Sequence, residues 1–193
     1  MIFEIFNQSN FLDIFIVILL FRICYIAYNT GLAIESFKLL GVIFATYISL
    51  HYYTSVSDTI QRNLLPKGMP LEFADFLIFL TLAIVAYLGF VVIRSIFYRF
   101  IKLEAVPAFS KFGGLFLGIV RGLFVTGLLV YVLSISSISY LTSSVKHSYL
   151  GRRTFLISPT TYGWLWNNIC SKFSAKEKFN STVNEVIDRF NRK

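Results

Sequence analysis

A chain of 193 residues that is 56% apolar, with 21 phenylalanines and a mean hydropathy of +0.68, carries more greasy surface than a soluble fold of its size can bury. A soluble globular domain is thereby excluded and lipid becomes the expected solvent. Cys24 and Cys170, the two cysteines, exclude a disulfide framework or a cysteine metal site, and the net charge of +8 calls for an anionic surface.

The first predicted element is a span from Phe11 to about Tyr28, with Asn10 as its N-cap and Asp13 as an acid in its first turn. Glu4, the lack of Lys or Arg before Arg22 and the lack of a small-x-small site argue against a cleaved signal peptide, so this segment is expected to be retained. Asn29, Thr30 and Gly31 make a tight turn into a second span, Leu32 to Tyr53, and the two read as a helical hairpin. His51, Tyr52 and Tyr53 read as an aromatic belt where that span meets headgroups. The third span is predicted from about Phe73 to Ile101 and the fourth from Phe112 to about Leu141. Phe76 to Ile93 and Gly122 to Val145 carry no charged residue, and a helix crossing the hydrocarbon core needs about 20 mostly apolar residues. Pro66, Pro70, Pro107 and Pro159 all fall outside the spans, where a missing N–H does least harm.

From Thr142 the composition changes. Nine of the 18 Lys and Arg lie beyond that point, against Glu177, Glu185 and Asp188. Tyr162, Leu165, Trp166, Ile169, Cys170 and Phe173 recur at helical spacing, and Phe179, Val183, Val186, Ile187 and Phe190 form a second stripe after Ser174 and Glu177, which fit a capping box. Residues 142–193 are therefore predicted to be a basic amphipathic helical tail. Trp164, Trp166, Lys172, Lys176 and Lys178 are its membrane-surface residues, facing anionic lipid headgroups. Nucleic acid is not an expected partner, because no stacking motif or nucleic-acid fold accompanies the charge. The fold class is then an all-α membrane protein, four transmembrane helices in residues 1–141 followed by this tail.

Polar residues at span depth need explaining. Arg22, Glu35, Lys38, Arg94 and Arg121 all fall near span ends on one side of the membrane and can form one ionic layer, with Glu35, its only acid, paired to Arg121 or to Lys38. Separate snorkelling of the four cations is the plainer alternative. Small residues recur every four positions at Gly41, Ala45 and Ser49 and at Gly114, Gly118 and Gly122, making shallow faces where another helix can dock. No enzyme site is visible, since His51 and His147 are isolated and the carboxylates lack paired or metal-ligand spacing, so no catalysis, metal or cofactor is expected. Cations on the Arg22, Lys38, Arg94, Arg99, Lys102 and Lys111 side place that side inside and both termini outside, while the basic tail argues the reverse.

Asp13, the Gly31 turn followed by Glu35, Gly41, and the run Gly114, Gly118, Arg121, Gly122 together resemble the colicin V production protein (CvpA) family over roughly residues 10 to 140. Thr30 stands where that family often has Arg, and Ser110 and Lys111 where it has Asp-Arg. The resemblance implies a multi-pass, non-enzymatic protein of the bacterial inner membrane, associated with colicin V export and envelope function. The expected role is an accessory or scaffold protein acting through helix–helix and lipid contacts, with other membrane proteins or itself as partners. The alternative is a small transporter or channel subunit whose polar path includes Glu35 and Arg121.

Overall fold

The computed structural model describes residues 10–63, 70–100, 107–173 and 177–192, and among them all regular structure is helical. Four long helices carry the chain back and forth: α1 (Phe11–Thr30), α2 (Leu32–Asn63), α3 (Leu71–Phe100) and α4 (Pro107–Ile135). All four are long and apolar enough to cross a membrane. A further set of short helices comes after them: α5 (Ser139–His147), α6 (Tyr149–Thr154), α7 (Ile157–Leu165), α8 (Ser171–Phe173) and α9 (Thr182–Asn191), with a π-helical turn, Trp166–Cys170, joining α7 to α8.

The long helices lie side by side in the order α1, α4, α2, α3, which is not their order in the chain. The first two therefore do not close into a packed hairpin. Gly31 supplies the sharp reversal between them with φ of 81°, a left-handed value that only glycine adopts without strain. α4 then wedges into the opening. Its glycines allow this: a Cβ on Gly114 would strike the Ala27 carbonyl and the Gly31 backbone, one on Gly118 would overlap Ala27, and one on Gly122 would meet Leu20 at 2.8 Å. Gly113, beside this stripe, receives Leu32 of α2 in the same way. The Gly41 position of α2 takes the ring of Phe90 from α3 at 3.0 Å, with Ala45 and Ser49 buried further along. The two small-residue stripes thus serve different neighbours and do not meet.

Boundaries differ from expectation at three places. α4 opens at Pro107 and not at Phe112, since the fixed φ and missing N–H of proline suit a first helical position. α4 stops at Ile135 and not near Leu141, because side-chain hydroxyls compete for the backbone there: Ile138 N–H donates to Ser136 Oγ (3.1 Å) and Thr142 Oγ1 donates to the Ser136 carbonyl (3.1 Å). α2 runs on past Tyr53 to Asn63, so its last turns project beyond a hydrocarbon core of about 30 Å.

The C-terminal helices fold back onto the bundle end where α1 and α3 begin and α2 and α4 finish. Val145, Phe155, Tyr162, Val183 and Val186 enter one core with Leu12, Ile16, Leu50, Tyr53, Phe79, Val130 and Tyr131. Phe155 stacks on Tyr131 on one side and on Phe190 on the other. The outward faces of α1 and α3, by contrast, are rows of exposed Phe, Ile, Leu and Val, as helices in lipid require.

Candidate functional site

Glu35 sits in the first turn of α2 and is fully buried. Its Oε1 accepts Thr30 Oγ1–H (2.7 Å) and Lys38 Nζ–H (2.6 Å), the latter one turn along the same helix. Its Oε2 lies 2.8 Å from Arg121 Nε. Helical side chains lean toward their helix N-terminus, so Arg121, well inside α4, reaches back toward the Glu35 end. The N–H bond of Nε is turned off the line to that oxygen, and Nη2 has no acceptor among the described residues, leaving a Coulomb contact without a full hydrogen bond. Two cations therefore flank one carboxylate, an arrangement with a surplus positive charge in a place where charge is costly.

Of the five residues expected in an ionic layer, Glu35, Lys38 and Arg121 come together. Arg22 is exposed and Arg94 half-buried, and neither forms an ion pair among the described residues. Ser110 completes the junction by accepting Leu32 N–H at 3.3 Å and packing on Gly31.

The other end of the bundle holds a polar cluster that sequence spacing did not indicate. Asp13 is buried, and its carboxylate accepts Ser148 Oγ–H (2.6 Å), Leu150 N–H (2.9 Å) and Tyr149 N–H (3.3 Å), so the acid opening α1 caps the start of α6. Asn10 adds a bond from its amide to the Ser144 carbonyl at 2.7 Å. Nearby, His51 is not a belt residue: it is buried, stacked between Tyr47 and Trp166, with Nδ1 2.9 Å from Tyr162 Oη. Asn180 N–H donates to that same oxygen (2.9 Å), which leaves the Tyr162 hydroxyl hydrogen for His51 Nδ1. Glu177 accepts Tyr52 O–H at 2.7 Å and stands 3.5 Å from His51 Nε2. A cavity of about 330 Å³ opens at the same end of the bundle, lined by Asp58, Glu72, Asp75 and Glu185 with Lys146 and Arg189. Most of these charges sit in first or last helical turns, where they oppose helix dipoles. No group of three His, Cys, Asp or Glu among the described residues is placed to hold a metal ion.

The expected membrane-surface residues divide. Trp164 is 59% exposed whereas Trp166 is 9% exposed, packed on His51 and Phe179. Lys172 and Lys178 are exposed, and Lys176 lies outside the described residues, as does Ser174. The expected capping box does not form: Glu177 is outside any helix with its carboxylate taken by Tyr52, and α9 begins at Thr182 behind Ser181. The π turn explains the split of the tail stripe: its extra residue rotates the helix beyond it, so Tyr162 and Trp166 point inward while Ile169 and Phe173 point out.

The family profile described as colicin V production protein matches residues 12–158, from the start of α1 through the cap helix α6 and into α7. The chain belongs to the colicin V production protein family. Comparison with curated proteins and with solved structures returned no match. Within this family member the matched region takes in both polar clusters, Glu35–Arg121 and Asp13–Ser148, and with the four long apolar helices it marks a multi-pass membrane protein. Thr30 and Ser110 are themselves part of the Glu35 junction: one donates to the carboxylate and the other receives the first amide of α2.

Proposed function

We propose that this protein is a non-enzymatic accessory or scaffold component of the bacterial inner membrane, serving toxin production and export or envelope homeostasis through helix–helix and lipid contacts. The observation that carries this proposal is the Glu35 carboxylate, sealed at the meeting point of α1, α2 and α4 and bonded by Thr30 and Lys38 beside Arg121. Such a pin fixes three helices in one arrangement, and a fixed helical frame is what a scaffold needs.

A charge exchange tests it, with Lys38→Gln introduced in parent and variants so that the ammonium does not oppose the new guanidinium. Glu35→Arg and Arg121→Glu each orphan a buried charge, which costs about 3–5 kcal/mol. Each single variant is expected to lose abundance in the membrane fraction and to fail to complement the envelope or export defect of a deletion strain. The double exchange is expected to recover both.

A small transporter or channel subunit is the second reading, favoured by the Arg121 Nη2 that lacks an acceptor among the described residues, since a path for an anion needs an unspent donor. In that case the double exchange restores abundance and leaves function lost.

A further inference from the structure

The C-terminal cap can be placed in depth by its contacts. α1 is 20 residues long, about 30 Å, and matches the hydrocarbon core from end to end. Asp13 in its first turn binds Ser148, Tyr149 and Leu150, which sets the start of α6 at the membrane boundary. Gly122 of α4 lies opposite Leu20 of α1, and Gly127, about 7 Å nearer the Asp13 end, is packed by Thr154, Ile157 and Ser158. The α6–α7 corner therefore dips below that boundary and does not stand above it.

Its outward side is chemically sorted for such a place. Tyr149, Leu156, Trp164, Ile169 and Phe173 are exposed large apolar residues, and Arg152, Arg153 and Lys172 are exposed cations. The Arg153 guanidinium lies over the Tyr149 ring, 4.6 Å from its centroid. From Ala105 to Lys176 the sequence contains no Asp or Glu, and none of the three cations forms an ion pair among the described residues. Aromatic rings with unpaired cations at headgroup depth match a leaflet of anionic lipid.

We propose that residues 149–173 form a half-immersed belt in which Arg152, Arg153 and Lys172 seat the headgroups of anionic phospholipids. This rests on the membrane scaffold reading and names the lipid class it uses. Each cation near an anionic surface contributes about fivefold in affinity.

The test uses the full-length chain in nanodiscs. Trp164 and Trp166 are the only tryptophans, so the difference in fluorescence between the parent and Trp164→Phe isolates the exposed ring. Bromolipid carrying bromine near the glycerol is expected to quench that difference signal, and phosphatidylglycerol is expected to be retained over phosphatidylcholine in native mass spectrometry. Arg152→Gln with Arg153→Gln should lower the preference by at least tenfold and leave the quenching in place. Retention of both lipids alike by the parent would overturn the headgroup seat. Quenching by aqueous iodide but not bromolipid, in a chain that stays in the nanodisc, would overturn the immersed belt and make the face one for a protein partner. Neither result touches the Glu35–Arg121 exchange, so scaffold and belt fail separately.

Discussion

Asp13 shows how much a single side chain does at the cap. It gathers one hydroxyl and two backbone amides from a segment about 135 residues away. Hydrogen bonds to a charged group contribute about 1.5–3 kcal/mol each, and removing the acceptor leaves donors buried and unmet. Asp13→Ala is expected to destabilise the protein by about 2–4 kcal/mol, read as a lower thermal-shift midpoint in detergent and faster proteolysis after Lys146. Asp13→Glu, longer by one methylene, should recover part of that. The sequence made Asp13 legible only as a helix-start acid, because Ser148 is neutral and distant. Glu35 was more readable: Lys38 lies one turn away, and Arg121 interrupts a glycine run where a cation demands a partner.

At the scale of the helix, the glycines of α4 are not interchangeable with others. Gly118→Leu places a side chain where Ala27 of α1 already sits, an overpacking that costs about 1–3 kcal/mol or more. Gly89 on α3 has nothing among the described residues within 4 Å of its would-be Cβ, so Gly89→Ala should be neutral or stabilise by up to about 1 kcal/mol through helix propensity. Thermal-shift midpoints of the two variants against the parent measure the contrast. The existence of the four spans was plain from charge-free length, and small-residue spacing pointed to docking faces. Their lateral order was not, since nothing in a periodic pattern says which neighbour a groove accepts. Nor could the stripe through Ile169 and Phe173 foretell the π turn that swings those residues outward.

For the molecule as a whole, the tail is structural and not an appendage, since its residues share one core with the bundle. Burial pushes the Tyr162 phenol up to about 12, while the Asn180 N–H bond acts the other way. A raised phenol favours the neutral, docked form: that stability is complete below the ordinary value of about 10 and disappears as pH rises through about 12. Base titration should therefore dequench or shift Trp166 emission together with phenolate absorbance, and Tyr162→Phe should remove that coupled step. Local amphipathicity revealed that most of the described residues beyond Thr142 are helical with a greasy side. Whether that side would meet lipid or protein depended on Asp13, His51 and Tyr131, all contributed by the spans.

The insertion of α4 between α1 and α2 bears on how the polypeptide is made. Translation delivers Glu35 to the bilayer before the codon for Arg121 has been read, so during that interval its carboxylate has only Thr30 and Lys38, both close in the nascent chain. These two neighbours are in hand before Arg121 arrives and stay bonded afterwards, and the lateral order is complete only once the last of the four long helices lies between the first two.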